Sequence, residues 1–489
     1  MGLRSRVDAL FKGPEEFDLT SGGIAKPLFF LSMPIVITNL FQTAYNLADT
    51  FWLGQYSTDA LAAISFAFPM VFLLISLGMG ISVAGSVLVA QFTGAGEERE
   101  AEYAASQTVT FAVIVSFVLG IAGYLGVDTF LSLMGASEDV LPMATSYMEV
   151  ISLGLLFMFG FFVFVALMRG YGDTITPMLV MFGSVVLNII IDPFLIFGWT
   201  VVENAPLVGT VAFPELGIEG AAIATVFSRA LALVVGLAIM FRGTRGVQIH
   251  LRDMAPDLSY LRRLVRIGLP ASIEGTGRAL SMNLLLVIVA MFPDTVVAAY
   301  GIGTRVFSVV FLPAIAVARG VETMTGQNIG ADKPERAAKA AGLAAKVLFG
   351  VLTVAGVLVW FTAAPIADLF TTDPEVVEIT TQFLRYVALS FGFIGIMRAY
   401  TGSLRGAGKT LTAAAISVLM LGVIRFPIAW FAAGPLGESG IWLSFAVSNV
   451  AGAIIAYGWY RRGTWRDSDL TETQIDLDET GVEMPADGD

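Results

Sequence analysis

The chain has 489 residues, of which 56% are hydrophobic and 14% charged, with a net charge of -12, no cysteine and one histidine. A mean hydropathy of +0.78 is far too high for a soluble globular domain. The missing thiols exclude disulfides and thiolate metal sites, and the negative charge argues against nucleic acid as a partner.

Residues 1–25 form a polar segment whose Arg4, Arg6, Asp8, Lys12, Glu15, Glu16 and Asp18 exclude a cleaved signal peptide. Beyond Lys26, apolar runs of membrane-crossing length recur, among them Ala62–Ala90, Thr108–Leu125, Met178–Phe197 and Ala340–Trp360. Hydropathy divides the chain into twelve spans of roughly 20–30 residues each. The expected architecture is an all-α polytopic membrane protein of two six-helix bundles, an N-lobe over 26–242 and a C-lobe over 263–462. A cytoplasmic linker, 243–262, joins them, and an acidic tail, 463–489, is expected to be disordered. His250 lies in the linker beside Arg252 and Asp253 and reads as a solvated loop side chain.

Basic residues gather in alternate connections: the N-terminus, Arg99, Arg169, Arg242–Arg266, Lys333 with Arg336 and Lys339, Arg405 with Lys409, and Arg461–Arg466. The intervening connections carry none, so the expected orientation places both termini in the cytoplasm of a multi-pass cell-membrane protein. An acidic, lysine-poor complement suits concentrated salt, which suggests a halophilic archaeon as source.

The chain also repeats itself. At an offset of 236, Pro34 falls on Pro270, Ala62–Ala63 on Ala298–Ala299, Gln91 on Gln327, and Gly94–Ala95 on Gly330–Ala331. Arg169-Gly-Tyr-Gly-Asp-Thr-Ile-Thr176 falls on Arg405-Gly-Ala-Gly-Lys-Thr-Leu-Thr412; later, Leu216-Gly217 falls on Leu436-Gly437 at an offset of 220, because the first half has a longer outer loop. Two halves of six spans enter the membrane in the same sense, which implies a pseudo-twofold axis along the membrane normal and a pathway between the lobes. Gly408-Lys409-Thr410 ends like a phosphate-binding loop, but Ser403 stands where the first glycine is needed and a membrane helix precedes it. Both copies read as helix–helix turns, and ATP is not expected as energy source.

Ionisable residues inside spans are costly and therefore candidates for function. Asp49 lies 23 residues beyond Lys26 and Asp192 lies 23 beyond Arg169, so the two carboxylates sit at one depth in the outer half of the bilayer. Tyr45 precedes Asp49, and Asn188 precedes Asp192, by one helical turn. Such oxygens suit a sodium ion, or a shared proton; equally, the two aspartates can mark frayed helix ends at the outer interface. Under the repeat Asp49 maps onto Leu285, Asn188 onto Ile424 and Asp192 onto Ile428, so only one half carries this set. Glu274 with Arg278, and Arg319 with Glu322, read as neutralising pairs one turn apart, with the alternative that the first pair faces a C-lobe cavity; Arg229, Arg305, Arg398 and Arg425 have no assignable partner. Pro34 should kink the first span.

These motifs resemble the multidrug and toxic compound extrusion (MATE) family, in its DinF-like archaeal and bacterial branch. The resemblance rests on Met33-Pro34, Asp49-Thr-Phe-Trp-Leu-Gly54, Val89-Ala-Gln91, Gly94-Ala-Gly-Glu97 and Arg169-Gly-Tyr-Gly-Asp-Thr-Ile-Thr-Pro177. It continues through Asn188-Ile-Ile-Ile-Asp-Pro193, Gly220-Ala-Ala-Ile-Ala-Thr225, Gly268-Leu-Pro270, Val297-Ala-Ala-Tyr-Gly301 and Gly326-Gln-Asn-Ile-Gly-Ala331. It implies cation-coupled export of amphipathic, often cationic, organic compounds through a V-shaped cleft, by a monomer in the lipid bilayer with no cofactor beyond the coupling Na+ or H+ and no enzymatic activity. By position it implies an N-lobe cation site at Asp49, Asn188 and Asp192 with Tyr45, Tyr147 and Thr225 around it, a pivot at Pro34, and Gln42 facing the N-lobe cavity. Glu274 departs from the acidic site of the NorM-like branch, which puts a C-lobe ion site in doubt. The rival reading is a lipid-linked oligosaccharide flippase of the same architecture, for which Arg278, Arg305, Arg319 and Arg398 would line the cavity.

Overall fold

The computed structural model describes residues 18–133, 138, 140–205 and 209–471, with the side chains of 200–212 outside that set. Among the described residues, ten helices are individually long and apolar enough to cross a bilayer, and two further spans are helix pairs bent at a short break. The first bundle contains α1 (Ala25–Tyr56), α2 (Thr58–Ala95), α3 (Glu98–Leu133), the bent pair α4 (Leu141–Leu153) and α5 (Leu155–Tyr171), α6 (Ile175–Phe197) and α7 (Gly217–Arg242). The second contains α8 (Leu258–Val289), α9 (Asp294–Gly330), α10 (Pro334–Asp368), the bent pair α11 (Pro374–Ala388) and α12 (Phe391–Gly406), α13 (Thr410–Val418) and α15 (Glu438–Arg461). Between α13 and α15 the chain passes through a π-helical stretch, Leu419–Arg425, into α14 (Phe426–Leu436), so that Thr410–Leu436 makes one span. The expected two sets of six spans are therefore present, and the bends, 54° and 49°, fall at repeat-equivalent positions.

Three features depart from the sequence reading. The long outer connection of the first half holds an antiparallel hairpin, β1 (Thr200–Ala205) with β2 (Gly209–Ala212), where hydropathy showed only a loop. Pairing satisfies backbone groups there that no helix takes up. The linker is not free: Gln107 donates to the carbonyls of Asp253 and Ala255, Arg99 makes two 2.6 Å bonds to the Asp253 carboxylate, and the His250 ring lies 3.0 Å from Glu102. The tail begins later than its charge suggests, because Trp465 is buried and donates to the Tyr460 carbonyl, and Leu470 N–H donates to Gln91 Oε1 at 2.8 Å. Residues 472–489 of the expected disordered tail, and 1–17 of the N-terminal segment, lie outside the described set.

α10 shows most plainly bulky apolar residues turned outward and small ones turned inward. On α10, Val347, Val351, Val354, Leu358 and Phe361 are exposed, while Ala337, Ala340, Ala341, Ala344, Ala345 and Gly356 are buried. Lipid is as apolar as leucine, so close backbone packing between small residues is what holds such helices together.

The lobes meet on the face that carries the first and last described residues, near Leu19 and Leu470. There Ile81–Phe92 of α2 and Gly320–Ile329 of α9 are enclosed on every side, at repeat-equivalent positions. A methyl group at Gly94 would stand 2.0 Å from the Gln327 carbonyl oxygen, and one at Gly330 would stand 1.9 Å from that of Gln91. These two contacts are the same contact under the 236-residue repeat, and they mark the pseudo-twofold axis. Gln91 donates to the Gly406 carbonyl and Gln327 to those of Gly170 and Tyr171, so each lobe's central helix ties into the other lobe's turn. Farther from that face, Gly80 packs on Gly268, and Ser272 bonds both Gly80 N–H and the Leu77 carbonyl.

Candidate functional site

α1 packs along α6, and α6 along α7, which brings the predicted N-lobe residues together. Asp49, Asp192, Asn188, Tyr45, Thr225 and Tyr147 are all buried. The Asp49 and Asp192 carboxyl groups lie close enough for each to act on the other. Asn188 Nδ2 donates to Asp192 Oδ1 at 3.0 Å. Tyr45 and Thr225 lie beside Asp49, and Tyr147 lies near both carboxylates. The helix ends are not frayed here: Asp49 and Asp192 fall within continuous helix.

The site is rich in oxygen atoms with nothing to bond. Tyr45 Oη, Asp49 Oδ1, Asn188 Oδ1, Asp192 Oδ2 and Thr225 Oγ1 are buried without a hydrogen-bond partner. Leaving a buried polar atom unpaired costs about 1–3 kcal/mol, and these five oxygens are of the carboxylate, amide and hydroxyl kinds that could hold a hard cation.

Arg229 of α7 is the site residue that the sequence left without a partner. Its guanidinium donates to Gln42 Oε1 at 2.8 Å, touches Met181 Sδ, and lies over the rings of Tyr45 at 4.7 Å and Phe161 at 5.2 Å. It is close enough to Asp49 to act on its charge. The signal was available in principle, since Thr225 and Arg229 stand one turn apart on α7, yet only packing shows that this face meets α1. Gln42 thus serves as the clasp of Arg229, and donates in turn to Asn46 Oδ1 at 3.1 Å. Pro34 lies within α1, which stays helical through it; Thr38 Oγ1 bonds back to the Pro34 carbonyl at 2.8 Å, an arrangement that favours bending.

The repeat-equivalent place in the C-lobe is built differently. Tyr45 maps onto Ser281, Asp49 onto Leu285, Tyr147 onto Phe383, Thr225 onto Phe445 and Arg229 onto Asn449. Into this aromatic pocket projects Arg425 from the π-helical stretch, stacked 4.3 Å over Phe445 and bonded to Ser448 Oγ and Asn449 Oδ1. A tethered guanidinium occupies the C-lobe counterpart of the oxygen cradle.

Glu274 and Arg278 do form the expected pair, at 3.2 Å, but not an isolated one. Glu274 also meets Arg405 at 3.2 Å and Arg398 at 3.9 Å and accepts from Ser417 at 2.9 Å. Arg319 pairs with Glu322 at 2.9 Å, and Arg405 reaches Glu322 at 3.3 Å, so the two expected pairs are parts of one network. The Arg-Gly-x-Gly-x-Thr turns are helix junctions: Gly172 and Gly408 have φ of 109° and 76°, which glycine adopts readily, and Asp173 Oδ1 caps α6 by accepting from Ile175 and Thr176.

The MatE family profile matches residues 34–194 and 270–431, two stretches that begin at the paired prolines. The chain is 29% identical over 439 residues to the FAD transporter of Shewanella oneidensis, covering 90% of this chain and 95% of that protein. It is 27% identical to the probable multidrug resistance protein NorM of Thermotoga maritima, covering 90% and 93%. The crystal structure of the Vibrio cholerae MATE transporter VcmN in the bent form superposes with a TM-score of 0.83 at 24% identity, covering 91% of this chain and 98% of that one.

Proposed function

The chain belongs to the MatE family of membrane transporters, and from that premise we propose that it exports amphipathic organic compounds in exchange for one monovalent cation, Na+ or H+, taken at Asp49 and Asp192. The relatives' names, a flavin-nucleotide transporter and a multidrug resistance protein, support an organic substrate. The observation that carries the coupling is the cradle of unpartnered oxygens around the two carboxylates in one lobe only.

Charge fixes the stoichiometry of this proposal. Two carboxylates and the Arg229 guanidinium leave one negative charge, which one sodium ion or one shared proton cancels. Loop charges support a cytoplasmic side for the face where the lobes meet; on that reading the lobes are closed inward, and the cradle, in the other half of the bilayer, loads from outside. A cation there draws α1, α6 and α7 together, and Pro34 gives α1 its weak point. Coupling requires only that the cation and the organic substrate prefer opposite arrangements of the two lobes. One chain supplies both lobes, consistent with a working monomer.

A sodium titration of export at fixed pH tests this. Export from cells or proteoliposomes rises and saturates with external Na+ if sodium is the coupling ion; a flat sodium response with a strong dependence on external pH assigns the proton. Export indifferent to both gradients removes the proposal.

Arg229→Gln gives a second test. Without the guanidinium the site carries two negative charges, and a unit charge a few ångström away in protein is worth roughly 1–4 kcal/mol. Cation affinity, measured with radioactive sodium or by cation-dependent thermal protection, should rise about tenfold or more while turnover falls. Weaker cation binding in this variant would show that Arg229 supports the cradle instead of opposing the ion.

A further inference from the structure

The network around Glu274 carries more positive charge than it can use. Among the described residues, the guanidinium groups of Arg278, Arg319, Arg398 and Arg405 lie within 3.9 Å of two carboxylates, Glu274 and Glu322, and that of Arg169 stands near the same cluster. Arginine does not deprotonate in proteins, so the cluster holds a surplus of three positive charges in a poorly solvated place. A network that served packing alone would be expected to match its charges, because each uncompensated buried charge costs several kcal/mol. The Nε atoms of Arg398 and Arg169 are also buried with no acceptor. Donors and charge are both left over.

The cluster stands where a ligand could reach it. Proceeding away from the closed face, Gly275 against Ser76 follows Gly80 against Gly268 in the contact of α8 with α2; Arg278 comes just beyond. On α9 the contact with α1 includes Gly320 against Ser32, and Arg319 is the next residue outward. The two arginines therefore lie just beyond these inter-lobe contacts, with 31% and 21% of their side chains exposed. Arg305 lies four turns farther along α9 on the same side and is exposed toward the Asp294 end of that helix, where an arginine faces water, an anion or the membrane interface. Phe311 supplies an aromatic floor 4.5 Å beneath the Arg398 guanidinium. Duplication accounts for Arg169 and Arg405, which are repeat equivalents, but not for Arg278, whose N-lobe equivalent is the neutral Gln42.

We infer that the Arg278–Arg319–Arg398–Arg405 cluster binds the phosphate or carboxylate group of an organic anion, so that the exported compound is an aromatic or amphipathic anion held by the C-lobe while the coupling cation is held by the N-lobe. This inference rests on the transporter reading above and names its substrate class. Fork-shaped guanidinium groups match the oxygens of a phosphate two at a time, and an adjacent ring suits an aromatic body. Because cation and anion occupy different lobes, they are linked through the rocking of the lobes and not by rivalry for one site.

The test compares riboflavin 5′-phosphate, riboflavin and ethidium as probes of the purified full-length protein in lipid-free detergent, read by quenching of intrinsic fluorescence. The phosphorylated probe should bind at least about tenfold more tightly than riboflavin, as expected of charge-assisted hydrogen bonds. Arg278→Gln should erase that difference and leave riboflavin binding as it was, and Arg278→Lys should restore part of it. Arg278 is the variant of choice because it is partly exposed and Glu274 keeps Arg405. Equal binding of the two flavins by the natural chain, or discrimination that survives Arg278→Gln combined with Arg319→Gln, overturns the inference. Displacement of the phosphorylated probe by lysophosphatidylglycerol places a lipid phosphate on the same cluster; no displacement assigns it to soluble anions, and either outcome supports an anion site. The two readings fail separately: a cation gradient that drives ethidium but meets no phosphate preference leaves antiport standing, whereas Arg278-dependent binding of the phosphorylated probe without gradient-driven transport leaves the anion site standing.

Discussion

Asp49→Asn should abolish cation-driven export while leaving the protein in the membrane in normal amount. The substitution keeps the shape of the side chain and removes its charge, so the remaining Asp192 carboxylate is neutralised by Arg229 and the site no longer calls for a cation. Losing one member of a buried charge pair costs about 2–5 kcal/mol, so cation affinity should fall by roughly 30-fold or more. The measurement is export of a fluorescent substrate from loaded cells under an imposed sodium or proton gradient, with membrane content and thermal stability as controls. Asp192→Asn should behave in the same way, because the two carboxyl groups face each other across one volume. Undiminished gradient-driven export in either variant would show that the cluster is only a structural polar core.

Gly94→Val and Gly330→Val should each stop transport by a different route. Each glycine sits against the partner helix's glutamine carbonyl, at 2.0 Å and 1.9 Å from an added methyl group, and backbone atoms cannot rotate away as a side chain can. Overpacking of this kind typically costs about 1–3 kcal/mol. Applied at the axis, that cost falls on the arrangement closed at the terminal face and shifts the balance between the two arrangements roughly 5- to 160-fold. The lobes themselves need not unfold, since each retains its own core. The chain contains no cysteine, so a single introduced cysteine at Thr323 reports cleanly: its labelling by a membrane-impermeant maleimide from the terminal face should rise in both variants, to a similar extent. Equal labelling in the variants and the natural chain would mean that the α2–α9 crossing is not where the lobes separate.

Much of this protein is legible in one dimension because the membrane restricts the choices. Only helices satisfy their own backbone in lipid, so apolar runs become spans, and the match of Gln91 with Gln327 and Gly94 with Gly330 becomes a crossing on a symmetry axis. The depth argument for Asp49 and Asp192 works for the same reason: rise per residue is fixed, so residues counted from a common face arrive at a common level. The hairpin at Thr200–Ala205 and Gly209–Ala212, and the docking of 463–471, lie outside the bilayer, where that restriction lapses and polar pattern alone permits loop, strand or strap.

The sequence by itself determined the two bundles, their parallel repeat and the candidacy of the two aspartates, because length, hydropathy and helical rise are properties of a segment. Only tertiary structure decided which helix faces meet. Packing of α7 against α6 and α1 sets Arg229 over Tyr45 and beside Asp49; packing of α8 with α13, and the reach of two long side chains from α12, turn the Glu274–Arg278 pair into a cluster with Arg398, Arg405 and Ser417. Charge balance in a low-dielectric interior depends on distances between helices, and those distances are set by small residues at crossings far from the charges themselves.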